Sequence, residues 1–229
     1  MSRTLFVTGT DTEVGKTQFS VGLISAARRR GVSIAGFKPV ASGCRNTKAG
    51  LRNADALALK NAAQSKHAYE AINPYAFAPP IAPHLAARAV GASIRGARLD
   101  AAFRRLAADH DWVLVEGAGG WQVPLNRKST FADWVSGHQW PVLLVVSLRL
   151  GCINHGLLSA EAIAARTPLL GWVANPWNSD QSAHLQAQLV DDLRARISAP
   201  LLGVLPTPAP PSANAFDQMW ARLNSQTPE

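Results

Sequence analysis

A short apolar run, Leu5-Phe6-Val7-Thr8, leads into Gly9-Thr10-Asp11-Thr12-Glu13-Val14-Gly15-Lys16-Thr17, and the segment that follows places Phe19, Leu23, Ala26 and Ala27 at helical spacing. Strand, glycine-punctuated loop, Gly-Lys-Thr and helix, in that order, leave few folds open. The first N–H groups of a helix have no partner within it, so a loop that turns tightly into a helix aims several donors at one point. That concavity suits phosphate. The general pattern has four residues between the first Gly and Gly-Lys; here five, Thr10 to Val14, stand between them. The competing reading is a glycine turn capping a helix, with an incidental surface lysine. Agreement of strand, loop and helix favours phosphate, with Lys16 reaching the β- and γ-phosphates and the Thr17 hydroxyl on Mg²⁺.

The rest of the chain alternates in the same way. Apolar runs at Leu5–Thr8, Ser33–Lys38, Trp112–Glu116, Val142–Val146, Leu169–Ala174 and Leu201–Leu205 predict strands. Between them, helical patterns cover Thr17–Arg30, Asn53–Ala63 with Asn53 as N-cap, Leu99–Asp109, Asn154–Ala165 and Ala183–Ile197. Asn73–Pro83 carries four prolines and predicts a loop. The Pro206–Pro211 stretch predicts a loop at the carboxyl edge of the sheet, followed by a short helix near Asn214–Leu223. Near-continuous apolar strands separated by helices imply a mainly parallel central sheet covered on both faces, a three-layer α/β fold of the phosphate-loop type. In such sheets ligands bind at the carboxyl edge.

A chain of 229 residues, 47% of them hydrophobic, is long enough for one large domain, and residues 1–229 are read as one. No apolar stretch reaches the roughly 18 residues a membrane span needs, and Met-Ser-Arg-Thr runs straight into the first strand without a signal-peptide core. Two cysteines, Cys44 and Cys152, make no disulfide framework, so the expected compartment is the reducing cytoplasm. The net charge of +8 raises nucleic-acid binding. The basic residues are scattered, however, except for Arg28-Arg29-Arg30, which ends a helix where cations complement the dipole; that triplet is read as a solvated helix end, and neither a nucleic-acid nor a membrane partner is expected.

Three further segments carry chemistry. Trp112–Glu116 is an apolar strand ending in an acid, and Gly117-Ala118-Gly119-Gly120 follows. A carboxylate at a strand tip beside a phosphate loop can hold Mg²⁺, and the glycines allow close backbone approach. Lys38 closes the second strand before Pro39-Val40-Ala41-Ser42-Gly43, where a second lysine would stabilise charge growing during phosphoryl transfer; a snorkelling surface lysine is an even alternative. Asp55, early in a helix, is by spacing alone a dipole-complementing acid. Neither cysteine has a His–acid setting, and the six histidines show no metal-ligand spacing. Trp112, Trp140 and Trp172 adjoin strands and are expected to pack in the core or at the sheet edge; Trp121 is the tryptophan that could line the site.

Thr8–Thr17, Lys38–Gly43, Asn73-Pro74-Tyr75, Val115–Gly120, Leu150-Gly151-Cys152-Ile153-Asn154-His155 and Gly171–Asn175 occur in this order. The series resembles the dethiobiotin synthetase family over about residues 4–206, and the long gap in the phosphate loop matches that family. The resemblance implies ATP-dependent carboxylation of 7,8-diaminononanoate with CO₂, through a carbamate and a carbamic–phosphoric anhydride, to dethiobiotin, ADP and phosphate. It implies that Lys16 and Lys38 are catalytic and that Thr17, Asp55 and Glu116 hold Mg²⁺, which replaces the dipole reading of Asp55. Glu13, Val14, Gly15, Lys16, Thr17 and Gln18 would wrap the phosphates of ATP together with Asp55, Glu116, Gly117, Ala118 and Gly119. Asn175, Pro176 and the loop Pro206, Thr207, Pro208 would border adenine. Thr12, Ser42 and Gly119 would face the diamine. The resemblance further implies a homodimer, with the diamine's carboxylate tail at Gly151, Cys152, Ile153 and Asn154 of the other subunit, a helix start suited to a carboxylate. The predicted helix after Asp180 contains no tyrosine, so any phenol contact to the tail from there is replaced by something else.

Two other classes compete. A partitioning-type ATPase switch usually carries a lysine just after the first glycine of its loop; Thr10, Asp11 and Thr12 stand there instead. An amidotransferase-linked synthetase needs a glutaminase domain for which 229 residues leave no room.

Overall fold

A computed structural model describes residues 2–176, 182–205 and 213–226. In chain order the elements are β1 (Arg3–Gly9), α1 (Lys16–Arg29), β2 (Ile34–Phe37), β3 (Val40–Ala41), β4 (Arg45–Thr47), β5 (Gly50–Arg52), α2 (Ala54–Ala62), α3 (Tyr69–Ile72), β6 (Tyr75–Ala76), α4 (Pro83–Ala89) and α5 (Gly96–Asp109). The second half adds β7 (Trp112–Gly120), α6 (Phe131–Gly137), β8 (Val142–Ser147), α7 (Cys152–Ala164), β9 (Leu169–Asn175), α8 (Ala183–Arg196), β10 (Leu201–Val204) and α9 (Ala213–Gln226).

Six strands form one sheet in the order β10-β9-β8-β1-β7-β2, every pair parallel. Strands such as β8, Val-Leu-Leu-Val-Val-Ser, are buried along their whole length, as expected where helices cover both faces. On one face Leu5, Val7, Leu114 and Val145 meet Phe19 and Leu23 of α1, Leu59 of α2 and Phe216 and Trp220 of α9. On the other, Phe6, Val113 and Leu144 meet Leu99 of α5, Phe131 of α6, Ile163 of α7 and Leu193 of α8. Each fully buried side chain of this size contributes about 1.5–3 kcal/mol. The strand-adjoining tryptophans Trp112, Trp140 and Trp172 are buried.

Helix starts differ by location. Asn53, Thr130 and Ser182 cap α2, α6 and α8 through their side chains. At the carboxyl edge of the sheet, α1 and α7 start on left-handed glycines, Gly15 and Gly151, with no side-chain cap. Their first N–H groups are thus left without a side-chain acceptor.

Several expectations need correction. The proline-rich segment 73–83 contains the short strand β6, which pairs with β3, and Pro83 starts α4, where its missing N–H costs nothing. Strand β7 continues past Glu116 through Gly120. The α6 helix was not anticipated, although Thr130 and Asp133 form a capping box at its start. The triplet Arg28–Arg30 is not a bare solvated end: Arg29 pairs with Asp217 at 2.7 Å, Arg30 donates to the Asp217 carbonyl, and Arg28 donates to Gln64. These arginines fasten α9 and the end of α2 to α1. Among the described residues no helix is long and apolar enough to cross a membrane.

Candidate functional site

The carboxyl ends of β1, β2, β7, β8 and β9 converge on the phosphate loop. Gly9 aligns with Gly120 of β7 and Val145 of β8. The loop then climbs through Glu13, at φ 56°, to Gly15 at φ 94°. A non-glycine residue in the left-handed region costs of order 1–3 kcal/mol and persists where its surroundings impose it. Gly15 is required twice over: its φ disfavours a side chain, and a Cβ there would stand 2.0 Å from Asn175 Nδ2. That Asn175 amide donates to the Val14 carbonyl at 2.8 Å, and Asn175 itself is buried. Buried Val14 packs in the core beneath the loop. Lys16 is 6% exposed and donates from Nζ to the Asp11 carbonyl at 2.6 Å. Gln18 is half-buried, and its Nε2 has no hydrogen-bond partner among the described residues.

Parallel register brings the second lysine to the first carboxylate. Phe37 pairs with Val115, so the next residues, Lys38 and Glu116, emerge side by side. Lys38 Nζ lies 2.6 Å from Glu116 Oε1, 3.0 Å from the Gly117 carbonyl and 3.3 Å from Asp55 Oδ2. The Thr17 hydroxyl donates to the same Glu116 Oε1 at 2.8 Å. Glu116 is wholly buried, and its Oε2 has no hydrogen-bond partner among the described residues. The two lysines differ in how firmly they hold their protons. Burial, reinforced by the charge of Lys38, draws the Lys16 pKa down to about 8. Burial also opposes charge on Lys38, but Glu116 and Asp55 more than offset it and hold its pKa above the ordinary lysine value.

The chain therefore sets a hydroxyl and two carboxylates within reach of one point, with one buried oxygen unpartnered. These are hard oxygen donors of the kind Mg²⁺ takes. The described residues contain no group of three or more His, Cys, Asp or Glu side chains that could hold a metal, so such an ion would need nucleotide phosphate oxygens to complete its shell.

Sequence reasoning gave Asn73 and Tyr69 no role, yet they hold Lys38 in place. Buried Asn73 donates from Nδ2 to the Lys38 carbonyl at 2.7 Å and accepts from the Tyr69 hydroxyl at 2.9 Å. That hydroxyl in turn accepts from the Asn53 N–H at 2.8 Å. The signal available was a polar residue, Asn73, inside a segment otherwise apolar or proline-rich. Ser42 follows β3 in a half-buried turn whose neighbours bind the proline loop, Gly43 N–H to the Pro79 carbonyl and Cys44 N–H to the Phe77 carbonyl. Gly117 and Gly119 leave room where a Cβ would meet Phe6 and Val123 at 2.9 Å; Ala118 lies between them on β7. Exposed Thr12 donates from its N–H to the Asp11 carboxylate.

Other expected residues lie on neighbouring elements. Gly151, Cys152, Ile153 and Asn154 form the start of α7, with Cys152 buried and Asn154 exposed. Pro176 directly follows β9. Pro206, Thr207 and Pro208 lie outside the described residues. Trp121 does not line the site: it is buried in the core with Nε1 donating to the Ala162 carbonyl at 3.2 Å. Burial pushes both thiols, Cys44 and Cys152, above their ordinary pKa, which disfavours the nucleophilic thiolate.

A six-stranded parallel sheet whose first strand feeds a glycine-capped helix bearing Gly-Lys-Thr defines a phosphate-loop ATPase fold. A family model described as "AAA domain" matches residues 3–213. Among solved structures, the fold resembles the MinC:MinD cell division protein complex of Aquifex aeolicus, with TM-score 0.61 and 15% identity, covering 100% of this chain and 98% of that one. A ParA family ATPase from Chlorobium tepidum gives TM-score 0.53 at 13% identity, covering 98% and 92%. These likenesses show the fold alone.

Sequence likeness is far closer to one enzyme family. The chain is 49% identical over 224 residues to the ATP-dependent dethiobiotin synthetase of Escherichia coli (strain K12), covering 97% of this chain and 99% of the relative. It is 54% identical over 203 residues to that of Pseudomonas aeruginosa, covering 88% of each, and 50% identical over 207 residues to that of Salmonella typhi, covering 90% of each. The chain belongs to the dethiobiotin synthetase family, and is an ATP-dependent ligase of biotin biosynthesis.

Proposed function

We propose that this enzyme carboxylates and cyclises 7,8-diaminononanoate. One amine of the diamine takes up CO₂ as a carbamate. A carbamate oxygen attacks the γ-phosphorus of ATP, the bond to the β–γ bridging oxygen breaks, and ADP leaves. The second amine attacks the carbonyl carbon of the resulting anhydride, the carbon–oxygen bond to phosphate breaks, and the ureido ring of dethiobiotin closes as its amine proton is lost.

The observation that carries this reading is the convergence of Lys16, Lys38, Thr17 and Glu116 at the end of the phosphate loop. The N–H groups from Glu13 to Gln18 would cradle the phosphates. Lys16 would leave the Asp11 carbonyl for the β- and γ-phosphates. Lys38, kept charged by Glu116 and Asp55, would lie against both the carbamate and the transferring phosphoryl group, where preorganised positive charge lowers the barrier most. Thr17, Asp55 and Glu116 would hold Mg²⁺, which when bound neutralises charge on the β- and γ-oxygens. Ser42, Thr12 and the Gly117–Gly119 backbone would orient the diamine. Asn175, Pro176 and residues 206–208 would border adenine, with the Asn175 amide also holding the Val14 carbonyl of the phosphate loop. Residues 1–229 form one catalytic domain in this reading, acting in a reducing cytoplasm.

The enzyme would work as a homodimer, with the diamine's carboxylate on the start of α7 of the second copy. The side-chain-uncapped N–H groups of α7 and the exposure of Leu150, 93% of its surface, support that placement. The test is phosphate release from ATP, Mg²⁺ and bicarbonate with and without the diamine. Diamine-dependent release with dethiobiotin in the product mass spectrum is expected. Release indifferent to the diamine would overturn the reading in favour of an ATPase switch.

A further inference from the structure

The Asp11–Arg149 ion pair joins the two halves of the site, and no function so far uses it. Arg149 belongs to the turn between β8 and α7. Its carbonyl accepts the Cys152 N–H at 2.9 Å, which sets the start of α7, and its own N–H donates to the Ser147 carbonyl at 3.0 Å. From this turn the Arg149 guanidinium reaches across the carboxyl edge to Asp11 Oδ2 in the phosphate loop. The other carboxylate oxygen of Asp11 accepts the Thr12 N–H and hydroxyl, and the Asp11 carbonyl holds Lys16 Nζ. Burial favours protonation of Asp11, but the Thr12 N–H and Arg149 outweigh it and keep the carboxylate ionised. One residue of the loop thus holds the phosphate lysine by its backbone and the α7 turn by its side chain.

We propose that Arg149 is a positioning residue that couples nucleotide binding at the phosphate loop to diamine binding at the start of α7. The inference rests on the assignment of those two subsites above. Lys16 must leave the Asp11 carbonyl to reach a nucleotide, so the loop segment carrying Asp11 responds to occupancy. Through the ion pair that response reaches the turn whose geometry sets the α7 N-terminus. Binding coupling is reciprocal: the diamine tightens the nucleotide by the factor by which the nucleotide tightens the diamine. In a dimer that shares the diamine across the interface, the same pair would link one subunit's nucleotide to its partner's substrate. Both side chains are about half exposed, and pairs of that kind limit the coupling to about 1.4- to 5-fold.

The experiment measures the dissociation constant of a non-hydrolysable ATP analogue by calorimetry, with and without saturating 7,8-diaminononanoate, and takes the ratio. The intact enzyme is expected to give a ratio in that range. Arg149→Met and Asp11→Asn should each bring it to about one, the double variant should do no more than either alone, and Arg149→Lys should keep part of it. A ratio unchanged in Arg149→Met, a ratio of one in the intact enzyme, or equal weakening with and without diamine would each overturn the coupling; the last would mean that the pair only stiffens the loop. Failure of the intact enzyme to make dethiobiotin would instead overturn the catalytic reading itself.

Discussion

Lys16 gives the sharpest prediction, because burial loosens its proton in the empty protein and a bound phosphate would tighten it again. Its pKa lies near 8 where a free lysine has 10.5, equivalent to about 3 kcal/mol against carrying charge in the empty site. A triphosphate beside Nζ removes that penalty and restores the proton. Between pH 8 and the ordinary lysine value, nucleotide binding therefore takes up a proton: about half of one at pH 8 and about nine-tenths at pH 9. Apparent affinity should fall about fivefold between those two values. A phosphate's last ionisation lies near pH 6, below this window, and Lys38 stays charged throughout. Calorimetry of an ATP analogue, without Mg²⁺, in buffers of different ionisation enthalpy counts the protons directly. No uptake at pH 9, or uptake that persists in Lys16→Gln, would refute the reasoning. The same shift has a stability consequence of fixed sign. As pH rises from about 8 toward 10.5, the unfolded chain binds a proton that the folded one has shed, so the penalty this group places on the empty protein below that window is relieved and stability rises across it.

Other outcomes follow from the geometry. Gly15→Ala meets both a positive φ and the Asn175 amide, and should abolish detectable ATP binding in a filter or calorimetric assay; a variant that binds normally would mean the loop has slack the structure does not show. Lys38→Ala should lower kcat by about 10²–10³, and unchanged turnover would remove Lys38 from the chemistry. Asn73→Ala strips partners from the Lys38 carbonyl and the Tyr69 hydroxyl, so chemical denaturation should show a loss of about 1–3 kcal/mol together with reduced kcat. Asn154→Asp, placing a charge at the start of α7, should raise KM for the diamine far more than for ATP; a selective rise for ATP would contradict the tail assignment.

What was legible in the sequence was local. Strand, loop and Gly-Lys-Thr lie within a few residues, so Gly9 to Thr17 could be read despite the extra residue in the gap. The alternation of apolar runs and helices gave the parallel layers. The pairing of Lys38 with Glu116 was not readable, because it depends on β2 and β7 lying adjacent with Phe37 against Val115. Asp55 was ambiguous for a similar reason: its spacing fits a helix-dipole acid, and only the fold places Lys38 3.3 Å away. Trp121 misled because proximity in sequence to the glycine cluster says nothing of direction; at the end of β7 the ring turns into the core. Asp11 lies within the phosphate-loop motif, but its pairing with Arg149, 138 positions away, leaves no signal in the sequence. The contact of the Asn175 amide with the Val14 carbonyl was not readable either, because it is set by the order of β9 in the sheet.

The most direct test of the central claim follows an oxygen atom. If the carbamate attacks the γ-phosphorus at the Lys16–Lys38 pocket, an oxygen from CO₂ ends in the released phosphate. With ¹⁸O-labelled bicarbonate in unlabelled water, sampled before the label exchanges, the phosphate formed alongside dethiobiotin should carry one ¹⁸O. Phosphate released without label would mean that water attacks ATP instead, and would contradict the account.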